Sequence, residues 1–239
     1  MRLVFIDECG DANEKDYLGL SIASVNSRFY PALKQEAQSI LSKAGWERNT
    51  EFKGSCLFSI SRGCPGVSVE DRVGAAMSLL DLNTSEKNSR MNFTYGRLRS
   101  TKQSEDYLRC LPRLLHRELI VAPKGAGKNL LAITCDERSD VDRRALHSAL
   151  ASVVESRGYV LHESVAFAQS SFDTIGLMFA DLVGYLAARV DLLSDAQLFE
   201  GLSPEELAKD GQHRKLTASR KLLDKLKNLT LVSFPDMDK

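Results

Sequence analysis

Three aspartates lie where an ionised side chain is energetically costly. Asp7 and Asp136 each end a short apolar run, and Asp181 is the only charged residue between positions 175 and 188. A buried carboxylate is unfavourable by several kcal/mol unless a cation or a set of hydrogen bonds compensates its charge. The apolar residues around Asp181 recur at helical spacing and leave little room for water. Each aspartate therefore requires a polar partner.

Together the three aspartates match the ligand set of a hard divalent cation. If the two apolar runs are neighbouring strands, Asp7 and Asp136 lie at one edge of a sheet, and a helix packed across that edge adds Asp181. Such a cluster repels itself without a cation. Ligation by oxygen alone favours Mg²⁺ or Mn²⁺ over zinc. Two such ions about 4 Å apart would activate water and stabilise the leaving oxygen of a phosphodiester, so the pattern predicts metal-assisted hydrolysis.

A simpler explanation exists for each aspartate taken alone. Asp7 and Glu8 shortly precede Gly10 and can form the turn of a hairpin. Asp136 can cap a helix or pair with Arg138. For Asp181 the simpler explanation is the weakest, because a lone acid in an apolar helix usually has a specific partner.

A lysine in a glycine-containing segment is a further candidate. Lys53 lies in the stretch Glu51-Phe52-Lys53-Gly54. Near a metal cluster its ammonium group could bind a phosphate or stabilise developing negative charge. The alternative is an ordinary solvated loop residue, since most lysines are exposed.

Strands alternate with helices along the chain, which predicts an α/β layered fold. The opening runs predict a hairpin, and Ser68 with Asp71 resembles a capping box at the start of a helix. Asp140 is predicted to cap the helix that ends at position 157. The remaining predicted elements are helices over 29–44, 105–118, 173–190 and 216–229, strands over 90–98, 130–135 and 159–167, a loop or partly irregular segment over 47–66, and loop with short helix over 191–212.

The size and charge of the chain bound its organisation. With 239 residues, of which 43% are hydrophobic and 27% charged, it is long enough for one sizeable core. We predict one domain over 1–239, with 47–128 a possible insertion and 191–239 a C-terminal extension. The net charge is zero, so any nucleic-acid binding must use a local patch. The basic C-terminal segment offers one, although a solvated helix face is the simpler explanation; its cations are Arg214, Lys215, Arg220, Lys221, Lys225 and Lys227.

Several classes of protein are disfavoured. The acidic pair after position 6 argues against a signal peptide, and no apolar stretch is long enough to span a bilayer, so we expect a cytoplasmic protein without membrane contact. The five cysteines lack zinc-site spacing, and reduced, packed thiols are expected. The glycine-rich run 123–129 departs from the phosphate-loop pattern and precedes a strand instead of following one.

Four short motifs of the sequence resemble those of a known family. They are a strand ending Phe-Ile-Asp-Glu-Cys-Gly-Asp, a Phe-Lys-Gly, a strand ending Asp-Glu-Arg, and a late helix with Phe-Ala-Asp-Leu-Val-Gly-Tyr. Over residues 1–189 the chain resembles the bacterial domain-of-unknown-function family 3800, whose members are similar to ribonuclease H-like proteins. The resemblance implies a ribonuclease H-like mixed sheet flanked by helices, with acidic site positions at Asp7, Glu8, Asp136 and Asp181.

The chain departs from that family pattern at two positions. Cys9 stands where the opening motif usually has serine, and Met178 stands where the late helix often has glutamine. Loss of the glutamine bears on how a substrate is held. Ribonuclease H-like enzymes commonly have a fourth acid, for which the candidates are Glu8, Glu51 and Asp173.

Two functions follow from these observations. The first is a metal-dependent nuclease, or a related hydrolase of phosphodiester bonds, that acts on DNA or RNA with Asp7, Asp136, Asp181 and Glu8 around Mg²⁺ or Mn²⁺ and Lys53 beside them. The second is a non-catalytic binding or regulatory module with the same fold. For either function, bacterial phage defence with a protein partner is the expected setting.

Overall fold

A computed structural model describes residues 1–9, 16–48, 50–59, 66–83, 90–100, 102–122, 129–194, 203–226 and 228–234. Its strands are β1 (Arg2–Cys9), β2 (Tyr17–Asn26), β3 (Met91–Arg99), β4 (Leu130–Asp136), β5 (Val160–Leu161), β6 (Ala166–Ala168) and β7 (Leu229–Ser233). Its helices are α1 (Tyr30–Lys43), α2 (Val69–Asp81), α3 (Gln103–Glu118), α4 (Arg143–Ser156), α5 (Ile175–Ser194), α6 (Pro204–Lys209) and α7 (Gly211–Leu223), with a 3₁₀ turn at Gly54–Cys56.

The described strands form one mixed sheet in the order β5-β4-β1-β2-β3-β7, and β6 also pairs with β4. Strands β1, β2 and β3 are antiparallel neighbours, whereas β4 runs parallel to β1 and β7 runs parallel to β3. The predicted α/β class, a mixed sheet flanked by helices, is confirmed. The hairpin predicted at the start of the chain is the β1–β2 pair.

Alternation along the central strands divides the core into two layers. On one face, Phe5 and Tyr95 pack with the apolar residues of α5 and α1. On the other face, Val4, Ile6 and Ile22 pack with α3 and α4. Strand β2 is buried at every position except its last, as expected for the middle of a sheet covered on both sides.

The N-terminal caps of helices α2 and α4 can be compared with the sequence predictions. Ser68 accepts a hydrogen bond from the backbone N–H of Asp71, as the sequence predicts for α2. The prediction that Asp140 caps helix α4 is wrong. Asp142 caps α4 and accepts from the N–H groups of Arg144 and Ala145. Helix α4 begins after Asp142, and the buried Val141 separates Asp142 from Asp140. Asp140 therefore lies outside the first turn and binds Arg138 instead.

The C-terminal part of the chain differs most from the sequence prediction. The predicted strand over 159–167 is two short strands, β5 and β6. The helix predicted over 216–229 begins earlier and ends at Leu223, and the strand β7 that follows it was not predicted. β7 is a short edge strand with Leu231 exposed, so its five residues give little alternation to detect.

Three further findings concern membrane-spanning helices, the thiols, and predicted features that lie outside the described residues. None of the described helices combines the length and the apolar character that crossing a membrane requires. Cys9, Cys56, Cys110 and Cys135 are free thiols, and three of them are buried. Cys64, Lys227 and the glycine-rich run 123–128 lie outside the described residues.

Candidate functional site

Asp136 ends β4, and Asp7 lies two residues before the end of the neighbouring parallel strand β1. Ile6 of β1 is in register with Cys135 of β4, so the next residue of each strand is an aspartate. Asp7 is only 7% exposed, and Asp136 is partly buried. The two aspartates lie side by side, as the two apolar runs predict, although β1 continues to Cys9 beyond its predicted end.

Helix α5 carries Asp181 to the same end of the sheet because two glycines let the helix approach closely. A side-chain carbon at Gly176 would overlap the ring of Phe5, and one at Gly184 would overlap the sulfur of Cys9. Both contacts are with strand β1. The four-residue spacing of Gly176, Ala180, Gly184 and Ala188 is a signal that the sequence analysis missed, since it marks the helix face that lies nearest to the sheet.

The three aspartates influence one another electrostatically. Burial raises the pKa of Asp7 well above its usual value, and the charges of Asp181, Asp136 and Glu8 raise it further. Only the backbone N–H of Glu8, which donates to Asp7 Oδ1 over 2.8 Å, acts in the opposite direction. The residues that the sequence analysis grouped therefore form one acidic cluster, which we call the Asp7 cluster: Asp7, Asp136 and Asp181.

Asp181 and Asp136 each have partial compensation. Burial raises the pKa of Asp181 to about 7, although the backbone N–H of Gly54 opposes the shift by donating to Asp181 Oδ2 over 2.7 Å. Burial also raises the pKa of Asp136, against hydrogen bonds from the backbone N–H groups of Glu137 and Ser170. These N–H groups stabilise the charged forms without supplying a formal positive charge.

The segment from Glu51 to Gly54 reaches the Asp7 cluster. Gly54 packs against α5 so closely that a side-chain carbon there would lie 2.5 Å from Tyr185 Cβ, so only glycine brings its N–H to Asp181. The charges of Glu51 and Lys53 both act on Asp136 and Asp181.

Lys53 is the cation in this segment, and its Nζ lies 3.1 Å from Glu51 Oε2. Partial burial lowers the pKa of Lys53, but the hydrogen bond and charge of Glu51 and the charges of Asp181 and Asp136 outweigh it and raise the pKa. Lys53 therefore stays protonated beside the acids.

Two candidates for a fourth acid act on the Asp7 cluster: Glu51 raises the pKa of Asp136 and Asp181, and Glu8 raises that of Asp7. Glu8 follows Asp7 on the opposite face of β1, where its carboxylate lies 3.3 Å from Arg138 Nη1. Asp173 is exposed and contacts Arg48 and Gln38 instead.

The basic C-terminal segment is exposed in part. Helix α7 packs on α5 with Leu222 and Leu223 in the same apolar cluster, and Arg214, Arg220 and Lys221 lie at the surface. Lys225 binds Asp81 over 2.6 Å. No contact places these cations at the Asp7 cluster within the described part of the chain.

Whether the site suits a divalent ion depends on chemistry and on distance. The acids supply only oxygen atoms, which suits a hard cation such as Mg²⁺ or Mn²⁺. Their mutual repulsion also fits a site completed by a cation. As placed, however, no three His, Cys, Asp or Glu side chains among the described residues could hold one ion together. Ligation by the Asp7 cluster therefore requires these side chains to close around the ion.

The fold and the site define an α/β protein with an acidic cluster, in part buried, near the carboxyl ends of two central parallel strands. No family model matches the chain. No curated protein matches it either.

Two solved structures have a similar arrangement of the chain. One is a chain of the PCNA:RNase HII complex from Archaeoglobus fulgidus, at 11% identity and a TM-score of 0.44, covering 100% of this chain and 98% of that chain. The other is the ribonuclease H2 from Pyrococcus horikoshii OT3, at 12% identity and a TM-score of 0.41, covering 94% of this chain and 98% of that chain. At these values the likeness supports no conclusion about activity, and the fold class rests on the strand order.

Proposed function

We propose that the chain is a ribonuclease H-like, divalent-metal-dependent hydrolase of phosphodiester bonds in nucleic acid. Asp7, Asp136 and Asp181 are the proposed ligands of Mg²⁺ or Mn²⁺. The observation that carries the proposal is the environment of Asp7, whose pKa is raised by burial and by three neighbouring carboxylates while a single backbone N–H opposes them. A divalent cation is the simplest group that makes this arrangement favourable in its ionised state.

We propose Glu51 as the fourth acid of the site in place of Glu8. Glu51 acts on Asp136 and Asp181, whereas Glu8 is the partner of Arg138 on the other face of β1. Glu8 as a ligand stays a prediction from the resemblance, as does membership of the domain-of-unknown-function family 3800.

The side chains have separate roles in the proposed reaction. A bound divalent ion would polarise the phosphate and favour ionisation of the attacking water. Gly54 orients Asp181 through the N–H that donates to Oδ2. Lys53, with its raised pKa, keeps a positive charge that can contact a phosphate oxygen and stabilise charge developing in the transition state. The exposed cations of α7 are the proposed surface for the remaining nucleic-acid backbone.

A cleavage assay with matched variants tests this proposal. Purified protein is incubated with labelled single-stranded and double-stranded DNA, RNA and an RNA–DNA hybrid, with Mg²⁺, with Mn²⁺ or with a chelator. We expect cleavage of at least one substrate with metal, and its loss in Asp7→Asn and in Asp181→Asn. Asp173→Asn is the matched control, because this aspartate is exposed and paired with Arg48, and it should retain cleavage.

Two outcomes would contradict the proposal. Cleavage that survives in both Asp7→Asn and Asp181→Asn would exclude the acidic cluster as its source. Absence of cleavage, together with absence of Mn²⁺ binding by calorimetry, would favour the non-catalytic binding or regulatory module. A protein partner in bacterial phage defence and a cytoplasmic location remain predictions that this assay does not address.

A further inference from the structure

The segment that contacts Asp181 is held from its other side by a buried arginine. Arg72, in α2, is only 3% exposed. Its Nη1 donates to the backbone carbonyl of Cys56, and its Nη2 donates to that of Ser59 over 2.7 Å. Its Nε donates to the carbonyl of Ser68 over 3.3 Å. One guanidinium group thus joins the start of α2 to the turn that follows Gly54.

The stability of α2 alone does not explain this arginine. Arg72 follows Glu70 and Asp71 in the first turns of the helix, where the helix dipole favours acids and disfavours a cation. Burial of a guanidinium group is also unfavourable unless its N–H groups find acceptors. Both costs are offset by the carbonyl groups of another segment, so the arginine serves the contact between α2 and that segment.

The turn between Arg72 and Asp181 is short and internally bonded. The backbone N–H of Cys56 donates to the carbonyl of Lys53 over 3.0 Å, and the N–H of Leu57 donates to that of Gly54 over 3.0 Å. Leu57 is 1% exposed, so the turn is fixed to the core as well. A displacement at Cys56 therefore moves Gly54 and Lys53 with it.

We infer that Arg72 is a positioning residue for the proposed site. By holding the carbonyl groups of Cys56 and Ser59, it fixes the turn so that the Gly54 N–H orients Asp181 and the Lys53 ammonium lies beside the acids. This inference rests on the proposed function for its consequence in metal binding. The positioning itself concerns the metal-free protein and is testable without activity.

The first test compares two arginines that donate to backbone carbonyls. Arg72→Met keeps an apolar stem of similar length and removes the donors, and Arg72→Lys keeps a charge and some donors. Arg157→Met is the matched control, because Arg157 donates through Nε and Nη2 to the carbonyl of His116, away from the Asp7 cluster. The amide resonance of Gly54 and its hydrogen exchange are measured in metal-free protein, and Mn²⁺ affinity is measured by calorimetry.

We expect Arg72→Met to shift the Gly54 amide resonance, to speed its exchange, and to weaken Mn²⁺ binding by about 10- to 100-fold, the range found for residues that orient metal ligands. Arg72→Lys should recover part of each effect, and Arg157→Met should cause none. A folded Arg72→Met protein with an unchanged Gly54 amide would overturn the inference. Equal effects in Arg157→Met would overturn it as well.

A second measurement uses the unaltered chain and does not depend on a variant that folds. If Arg72 joins the turn to α2, the Gly54 amide and the amides of α2 should exchange by one common opening reaction and respond equally to denaturant. Independent opening of Gly54 contradicts the inference.

The outcomes separate the inference from the proposed function. A perturbed Gly54 amide in a protein that neither binds metal nor cleaves nucleic acid leaves the positioning role intact and removes the enzyme. Cleavage that depends on Asp7 and persists at the same rate in Arg72→Met, with an unchanged Gly54 amide, leaves the enzyme intact and removes the positioning role.

Discussion

Asp7 and Glu8 are adjacent in sequence, yet the two faces of strand β1 surround their charges with different groups. Burial raises the pKa of both acids, and that of Glu8 reaches about 7. On the Glu8 face the protein supplies a cation, Arg138, which also binds Asp140 through contacts of 2.8 and 2.6 Å and lies 4.8 Å from the Tyr107 ring centroid. On the Asp7 face the charges that shift the pKa of Asp7 most are negative.

The difference indicates which acidic site awaits an external cation. An acid that already has a cationic partner, as Glu8 has, gains little from a solute ion. Lys53 partly compensates Asp136 and Asp181, but Asp7 has no cation among the charges that shift its pKa most and gains much from an external one. A divalent ion should therefore bind on the Asp7 face, although both faces contain acids.

The largest expected effect is on metal binding. We expect Asp136→Asn to reduce Mn²⁺ affinity beyond the range that calorimetry detects, because it removes an oxygen ligand from the Asp7 cluster. Glu8→Gln should leave the affinity within a few-fold of the original, because its carboxylate lies on the other face. Equal losses in the two variants would show that both faces contribute to one site and would restore Glu8 as a ligand.

A smaller effect is expected when the internal cation is removed. Arg138→Met leaves Glu8 without its counter-charge and should lower the free energy of unfolding by roughly 1–3 kcal/mol, less than for a fully buried pair because Glu8 and Asp140 retain some exposure. Denaturant unfolding measures this change. The double variant Arg138→Met with Glu8→Gln should recover part of the loss, and strictly additive effects would show that the pair is not coupled.

The smallest effect is a gain of stability on the Asp7 face. Asp7→Asn keeps an oxygen that can accept from the Glu8 N–H and removes the charge that its neighbours repel. We expect the metal-free protein to gain of the order of 1 kcal/mol in the free energy of unfolding. The control Asp173→Asn should change it by less than about 0.5 kcal/mol. A loss of stability in Asp7→Asn would contradict the electrostatic description of the cluster.

The same variant should alter the pH dependence of stability. Unfolded acids titrate near pH 4, whereas burial raises the folded pKa of Asp181 and of Glu8 to about 7. Between these limits Asp181 and Glu8 hold more protons in the folded protein than in the unfolded chain. The stability that these two acids contribute is therefore fully present below the lower limit and is lost as the pH rises towards the upper one. Asp7→Asn should make this fall shallower, and saturating Mn²⁺ should oppose it in the original protein.

The sequence predicted the parts of this arrangement that depend on local pattern. The sequence showed the apolar runs before Asp7 and Asp136 and the long helix around Asp181. It also indicated Lys53 as a candidate neighbour of the acids. The face to which Glu8 points was not, because the motif places two acids in succession and only the strand alternation separates them. The role of Arg72 depends on a contact between segments that no local spacing encodes, and β7 is too short to be distinguished by periodicity.

The close contact of Gly176 with the Phe5 ring and of Gly184 with the Cys9 sulfur sets the height of helix α5 above the sheet. Any larger residue at either position would lift the helix and carry Asp181 away from its neighbours, although neither glycine bears a reactive group. In a saturation mutagenesis screen, these two positions would rank with the acids in intolerance. Sensitivity to substitution in α5 therefore reports on spacing as much as on chemistry.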